Sequence, residues 1–144
     1  MAAMITVVFA TLNDAEGLAQ AMAELVPAAV DGLVREVVVA DAGSTDATLE
    51  VADEAGATIV SGGLRSAVAV ARADWILALP PRPGLVPGWE RAVERALQSR
   101  VGVRLVAGPW PWSPGLGVLV PKRLAAGADT LAALRRVARA RLRI

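Results

Sequence analysis

The chain has no cysteine and no histidine. Without cysteine there is no disulfide, no thiolate metal site and no cysteine nucleophile. Without histidine the commonest general base is missing, and His-based metal sites and Ser-His-Asp triads are excluded. Acid–base chemistry must fall to carboxylates, to the single Lys122, or to a substrate. Aromatic residues are scarce too, only 3% of a chain that is 55% hydrophobic. A core of that composition has to be built from small side chains, mainly alanine and valine, packed closely. Long apolar runs are also missing, and none reaches the roughly 18–20 residues that a membrane span needs. The start, Met1-Ala2-Ala3-Met4, has no basic flank and leads directly into strand-like sequence. No signal peptide is therefore expected, and the expected location is cytoplasmic.

At 144 residues the chain fits one domain, 1–144, large enough for a real core. No internal repeat, low-complexity tract or linker divides it. Net charge is +1 but unevenly spread: residues 1–100 hold 7 basic and 13 acidic groups, residues 101–144 hold 8 and 1. Such asymmetry marks either a surface for an anionic partner or two elements facing each other within the domain. Nucleic acid is not expected as a partner, because basic and aromatic residues are not interleaved in the loops.

The most informative stretch runs from Arg35 to Thr48. Val37-Val38-Val39 is a β-branched run of the kind buried on both faces of a parallel sheet. The chain breaks at Asp41-Ala42-Gly43 and restarts at Ser44, a good helix N-cap, with Thr45 and Asp46 in the first turn. Strand, acidic turn and capped helix form the layout in which α/β domains hold ligands beyond the carboxyl ends of their strands. Asp41 stands at that end as a free acceptor, and Asp46 lies where a helix dipole favours a carboxylate. Capping alone accounts for Ser44 and Asp46 but leaves Asp41 unexplained.

Earlier in the chain, Ile5–Phe9 reads as a first buried strand, after which Asn13 caps a helix carrying Leu18, Met22, Leu25 and Val26 at helical spacing. A helix from about Thr45 to Ala55 is ended by Gly56. Ala57–Val60 is a short strand, a helix buries Leu64, Val68 and Ala71, and Trp75–Leu79 is the fourth strand. Alternation at this pace predicts a parallel sheet of βαβ units. Pro80-Pro81-Arg82-Pro83-Gly84 fits neither helix nor central strand. An amphipathic helix then follows Trp89, with Val93, Ala96 and Leu97 inward. Gly102–Ala107 and Gly117–Val120 read as strands, Pro109–Pro114 as a loop, and Asp129–Arg143 as a final arginine-rich helix.

In this order the pieces resemble glycosyltransferase family 2. Val7-Val8-Phe9-Ala10-Thr11-Leu12-Asn13-Asp14 resembles the family's first strand and turn. Asp41-Ala42-Gly43-Ser44-Thr45-Asp46-Ala47-Thr48 is close to its Asp-Gly-Gly-Ser-Thr-Asp-Gly-Thr signature. Ala73–Leu79 and Leu85–Trp89 resemble the segments that bracket its metal motif. Asp129–Arg136 resembles the segment after its Glu-Asp pair. The resemblance covers residues 4–98 and, loosely, the remainder. It implies a Rossmann-like nucleotide-diphospho-sugar transferase fold, an α/β architecture with a mostly parallel central sheet flanked by helices and a truncated acceptor half. It further implies a UDP-type nucleotide sugar as ligand. Thr11, Asn13 and Asp14 would line the base and ribose pocket. Asp41 would accept from the imide N–H of the base, with Asp46 in support. Asp129 would deprotonate the acceptor hydroxyl, a poor nucleophile until its proton is removed.

The family's Asp-x-Asp metal motif falls on Pro80-Pro81-Arg82, so no divalent cation is expected. Arg82, helped by Arg65, would contact the diphosphate instead. The Glu of the Glu-Asp pair is replaced by Ala128. Two functions stay open at this point: metal-independent sugar transfer, and a catalytically degenerate member acting through a protein partner or as a homo-oligomer. For the second, Trp110 and Trp112 serve as interface anchors, although closure of a small core explains them more simply. A basic C-terminal helix resting on an anionic membrane surface is a third reading.

Overall fold

Runs of valine, isoleucine and leucine set the sheet, and alternating faces of each strand set the two cores. The structure, a computed structural model, describes residues 4–80, 85, 87–100, 102–106, 115–138 and 140–143. The strands are β1 (Ile5–Thr11), β2 (Val34–Asp41), β3 (Thr58–Ser61), β4 (Trp75–Leu79), β5 (Val103–Val106), β6 (Gly115–Pro121) and β7 (Ala140–Arg143). The helices are α1 (Ala15–Val30), α2 (Thr48–Glu54), α3 (Leu64–Val70), α4 (Trp89–Ser99), α5 (Lys122–Ala125) and α6 (Leu131–Val137). All seven strands join one sheet in the order β3-β2-β1-β4-β6-β5-β7.

The first four strands are parallel, as the βαβ alternation predicts, with Val8 opposite Val38 on one side and Ala78 on the other. The chain winds outward from β1 to β2 and β3, then returns to place β4 on the far side of β1. The sheet therefore reverses its winding between β1 and β4, the position where such sheets open a crevice beyond their carboxyl ends. Past β4 the character changes: β6 runs antiparallel to both β4 and β5, and β7 pairs parallel with β5. Backbones approach closely here. A Cβ on Gly117 would stand 2.9 Å from the Ala78 carbonyl oxygen, so only glycine fits without a shift.

Because side chains alternate along a strand, β1 serves both faces. Val7 and Phe9 point into a core closed by α1, α2 and α4, which includes Leu18, Leu25, Ala52 and Val93. Val8 points into a second core, with Val38, Ala40, Ile76 and Ala78 packed against Leu64, Ala67 and Val68 of α3 and against Ala125 and Leu134. The second core is rich in alanine, as the composition requires. Phe9, the only phenylalanine, is fully buried in the first.

Three local expectations are corrected. The predicted helix over Asp129–Arg143 is a helix followed by a strand: α6 starts after Thr130, whose hydroxyl accepts from the Ala133 amide at 3.1 Å, and stops at Val137. Ala138 is extended (φ −78°, ψ 106°) and leads into β7. Alanine, arginine and leucine favour helix locally, but the open edge of β5 offers a full set of backbone partners, and pairing wins over propensity. Ser44 does not cap α2, which begins four residues later with Ala47 at its cap and no side-chain acceptor there. Nor does Asn13 cap α1. Asp14 does so, accepting from the Gly17 amide at 3.3 Å, while Asn13 adopts a left-handed turn with φ 50°. What Ser44 and Asn13 do instead defines the site.

Candidate functional site

Two loops meet at the carboxyl end of the sheet, one following β1 and one following β2, and each supplies the other's hydrogen-bond partners. From the first loop, the Asn13 amide donates to Ser44 Oγ at 2.9 Å, the Asp14 amide to Thr48 Oγ1 at 3.0 Å and the Ala15 amide to Asp46 Oδ2 at 3.4 Å. In return Asn13 Oδ1 accepts from the Thr45 amide at 2.7 Å and the Asp46 amide at 3.3 Å. The Ala42 amide closes the join on the Thr11 carbonyl at 3.0 Å. Short polar side chains that usually satisfy their own backbone are here exchanged between loops about thirty residues apart.

Asp41 lies beneath this junction, 6% exposed. Its Oδ1 accepts from Thr11 Oγ1 at 2.8 Å and Ser44 Oγ at 2.6 Å. Its Oδ2 accepts from the Gly43 amide at 3.0 Å and the Ser44 amide at 2.7 Å. Four donors fill the acceptor capacity of a carboxylate. Asp41 is thus not the free acceptor that the sequence suggested; it holds its own turn, and a ligand N–H has to take the place of one of the two hydroxyls. Burial by itself would raise the Asp41 carboxyl, but the Ser44 hydroxyl and amide, the Thr11 hydroxyl and the Gly43 amide outweigh it and hold the group below its ordinary value of 3.8. Asp46 is also held low, first by the Thr48 hydroxyl and then by the Thr48 amide. The Thr48 hydroxyl donates to Asp46 Oδ1 in a short hydrogen bond, and the Thr48 amide reaches the same oxygen at 2.9 Å.

A third and a fourth segment reach the same end of the sheet. The Gly62 amide donates to the Asp41 carbonyl at 3.1 Å, linking the loop after β3 to the turn. Asp129 comes from the far part of the chain to the start of α3. Its Oδ1 accepts from the Arg65 amide at 3.2 Å and its carbonyl from the Leu64 amide at 3.3 Å. Its carboxylate lies so close to Gly63 that any Cβ there would collide with it. Arg65 Nη2 returns the link by donating to the Gly127 carbonyl at 3.3 Å. Asp129 and Arg65 are therefore brought together, with Asp129 supplying a helix-cap acceptor that α3 lacks at its own cap, Gly63. Arg82, the loop Pro109–Pro114 and its Trp110 and Trp112 lie outside the described residues.

The described residues gather no ligand set for a divalent cation. Among the described residues no three His, Cys, Asp or Glu side chains converge. The oxygens of Asp41 and Asp46 already serve their own loops, and the sequence after β4 supplies Pro80-Pro81-Arg82 in place of carboxylates. Sequence reasoning missed Thr48, whose hydroxyl links both loops and which is fully buried. The available signal was the Ser44-Thr45-Asp46-Ala47-Thr48 run, too polar for a helix interior at every position but one. Among the described residues no helix is long and apolar enough to cross a membrane.

No protein-family signature and no curated protein matches the sequence. Solved structures do. Glucosyl-3-phosphoglycerate synthase from Mycobacterium tuberculosis, in complex with Mn2+, UDP and glucosyl-3-phosphoglycerate, superposes over 99% of this chain and 71% of its own, with TM-score 0.69 and 20% identity. The same enzyme in complex with UDP gives TM-score 0.74 at 19% identity, over 99% and 71% of the two chains. Mannosyl-3-phosphoglycerate synthase from Rubrobacter xylanophilus gives 0.73 at 16% identity, over 99% of this chain and 66% of its own. At such identity the likeness is one of fold, and it extends along nearly the whole chain. The protein has a divergent version of the GT-A fold, the architecture of these two synthases.

Proposed function

We propose that the protein binds a uridine-type nucleoside diphosphate, or its sugar, against the interlocked loops after β1 and β2, and that it does so without a divalent cation. The observation that carries this reading is the junction itself. In a fold whose ligands sit beyond the carboxyl ends of the strands, Thr11, Asn13, Asp14, Asp41 and Asp46 are gathered at the carboxyl ends of β1 and β2, beside the reversal of winding, and held there by one another. A base imide N–H takes over the place of the Thr11 or Ser44 hydroxyl on Asp41, and the released hydroxyl turns to a carbonyl of the base. The negative diphosphate falls to Arg82 and Arg65, whose guanidinium groups match phosphate oxygens in bidentate geometry. Solved enzymes of this fold include one in complex with UDP and Mn2+, and the present reading departs from it in dispensing with the metal.

Sugar transfer is a second reading, favoured by one observation: Asp129 and Arg65 share the end of the sheet that carries Asp41. Asp129 then removes the proton of an acceptor hydroxyl as the bond to the sugar forms. Calorimetric titration with UDP and UDP-glucose, with and without Mn2+, tests the binding step. Binding that is the same in both conditions is expected, and weakening by Arg82→Ala. Binding that appears only with Mn2+, or none at millimolar nucleotide, overturns it. Transfer is tested separately by release of UDP, which Asp129→Asn should abolish while leaving nucleotide affinity unchanged.

A further inference from the structure

The opposite, amino end of the sheet holds a concavity of about 860 Å³. It lies between the loop that enters β4, the end of α4 and the start of α5. That volume falls in the range, roughly 300–1,000 Å³, of small-molecule sites. Its lining includes Arg35, Arg72, Arg100, Lys122 and Arg123 against a single carboxylate, Asp74. Trp75 and Leu97 supply an apolar wall. We propose that this concavity binds a small soluble molecule carrying two or more phosphates.

Position and vacancy of the charges support this. The loop before β4 is fixed from several sides: Arg35 Nη1 donates to the Arg72 carbonyl at 3.3 Å, Lys122 Nζ to the Ala71 carbonyl at 2.6 Å, and the Arg72 amide to Glu36 Oε2 at 2.7 Å. Arg35 and Lys122 are therefore anchored by one donor each and keep the others for a ligand. The side chains of Arg72, Arg100 and Arg123 have no partner among the described residues. Glu36, next to Arg35, is turned to the Thr6 hydroxyl and the Arg72 amide. Five basic residues lining one concavity repel one another, and an anion with several charges reduces that repulsion while its oxygens accept from the guanidinium groups within reach. A single phosphate leaves most of the volume empty, whereas two phosphates and a planar group against Trp75 fill it. The site is independent of the nucleotide reading, since it lies at the opposite end of the parallel strands β1, β2 and β4.

Inorganic pyrophosphate is the probe, titrated into the isotopically labelled full chain at about 150 mM salt, where long-range attraction is largely screened. Amide shifts are expected at residues 71–74, at Arg100 and across 122–126, with those of residues 41–46 unmoved. The double variant Arg100→Gln, Arg123→Gln should weaken binding about tenfold or more, and Arg91→Gln, Arg95→Gln on the exposed side of α4 should not. Shifts centred on residues 41–46, shifts scattered over all basic residues, equal loss in both double variants, or no shift at all each overturn the proposal. Vesicles of phosphatidylcholine with phosphatidylglycerol form a second arm. Sedimentation with them through the same arginines, without a pyrophosphate response, assigns the charge to a lipid surface and overturns the proposal too.

Discussion

The two ends of the sheet handle polar groups in opposite ways. At the carboxyl end, Asp41 receives four donors, and Asn13, Ser44, Asp46 and Thr48 satisfy backbone groups of the facing loop. At the amino end, the guanidinium groups of Arg72, Arg100 and Arg123 have no partner among the described residues. Polar groups that complete one another build structure, and their removal costs stability. Charges left incomplete around a concavity add little to the fold and are available to a ligand. The lesson is that a polar cluster is judged by what remains unsatisfied in it. By that standard a ligand at the carboxyl end would have to displace an existing donor, whereas one at the amino end would meet cations with donors to spare.

The largest effect should come from Asp41→Asn. It sets an NH2 group against the Thr11 and Ser44 hydroxyls, which must turn round to accept, and removes a charge that four hydrogen bonds stabilise, a loss of about 2–3 kcal/mol measurable by urea unfolding. No loss would collapse the contrast between the two ends. The same carboxylate has a pH signature. Its folded-state pKa is depressed below 3.8, so its stabilisation is full above that value and fades as pH falls through the lower folded value. Melting temperature followed from pH 6 downward should fall less steeply in Asp41→Asn than in the parent, since the variant has no such group to protonate.

A smaller effect is expected for Asp129→Ala, which strips the acceptor from the Arg65 amide at the start of α3. The cost should be about 1 kcal/mol, that of a lost helix cap, and Asp129→Asn should recover most of it. The smallest belongs to the amino end. Arg100→Gln with Arg123→Gln should shift stability by no more than about 0.5 kcal/mol, even though it removes two charges. A large loss there would mean that the amino end also serves the fold, and the comparison would fail.

How much of this was legible depended on how local each signal was. The parallel half was readable because each strand and helix carries its own pattern: Trp75–Leu79 was expected and found, and Leu64, Val68 and Ala71 were expected to be buried and are. The caps were misread because Ser44 and Asn13 look like caps for the helices next to them, while the backbone amides they accept from lie more than thirty residues away. The final strand was misread because Ala140-Arg141-Leu142-Arg143 alternates with a two-residue period, a signal outweighed by the helical propensity of the same residues. Asp41 was singled out because capping did not explain it; that four donors tie it to its own turn could not be read from a linear chain. The basic concavity was invisible for a related reason. Its cations stand at positions 35, 72, 100, 122 and 123, and only the return of every strand to the same level makes them neighbours.

The exchange of partners between the two carboxyl-end loops has a kinetic side. Its hydrogen bonds bridge 30 to 34 residues, and each needs β1 and β2 already paired in register before its donor and acceptor can meet. The clasp therefore belongs among the last events of folding, as non-local contacts do. Once closed, it should open as one unit, so that the amides of Asn13, Asp14, Thr45 and Asp46 exchange with solvent at a common rate. A ligand that grips either loop would slow all four together.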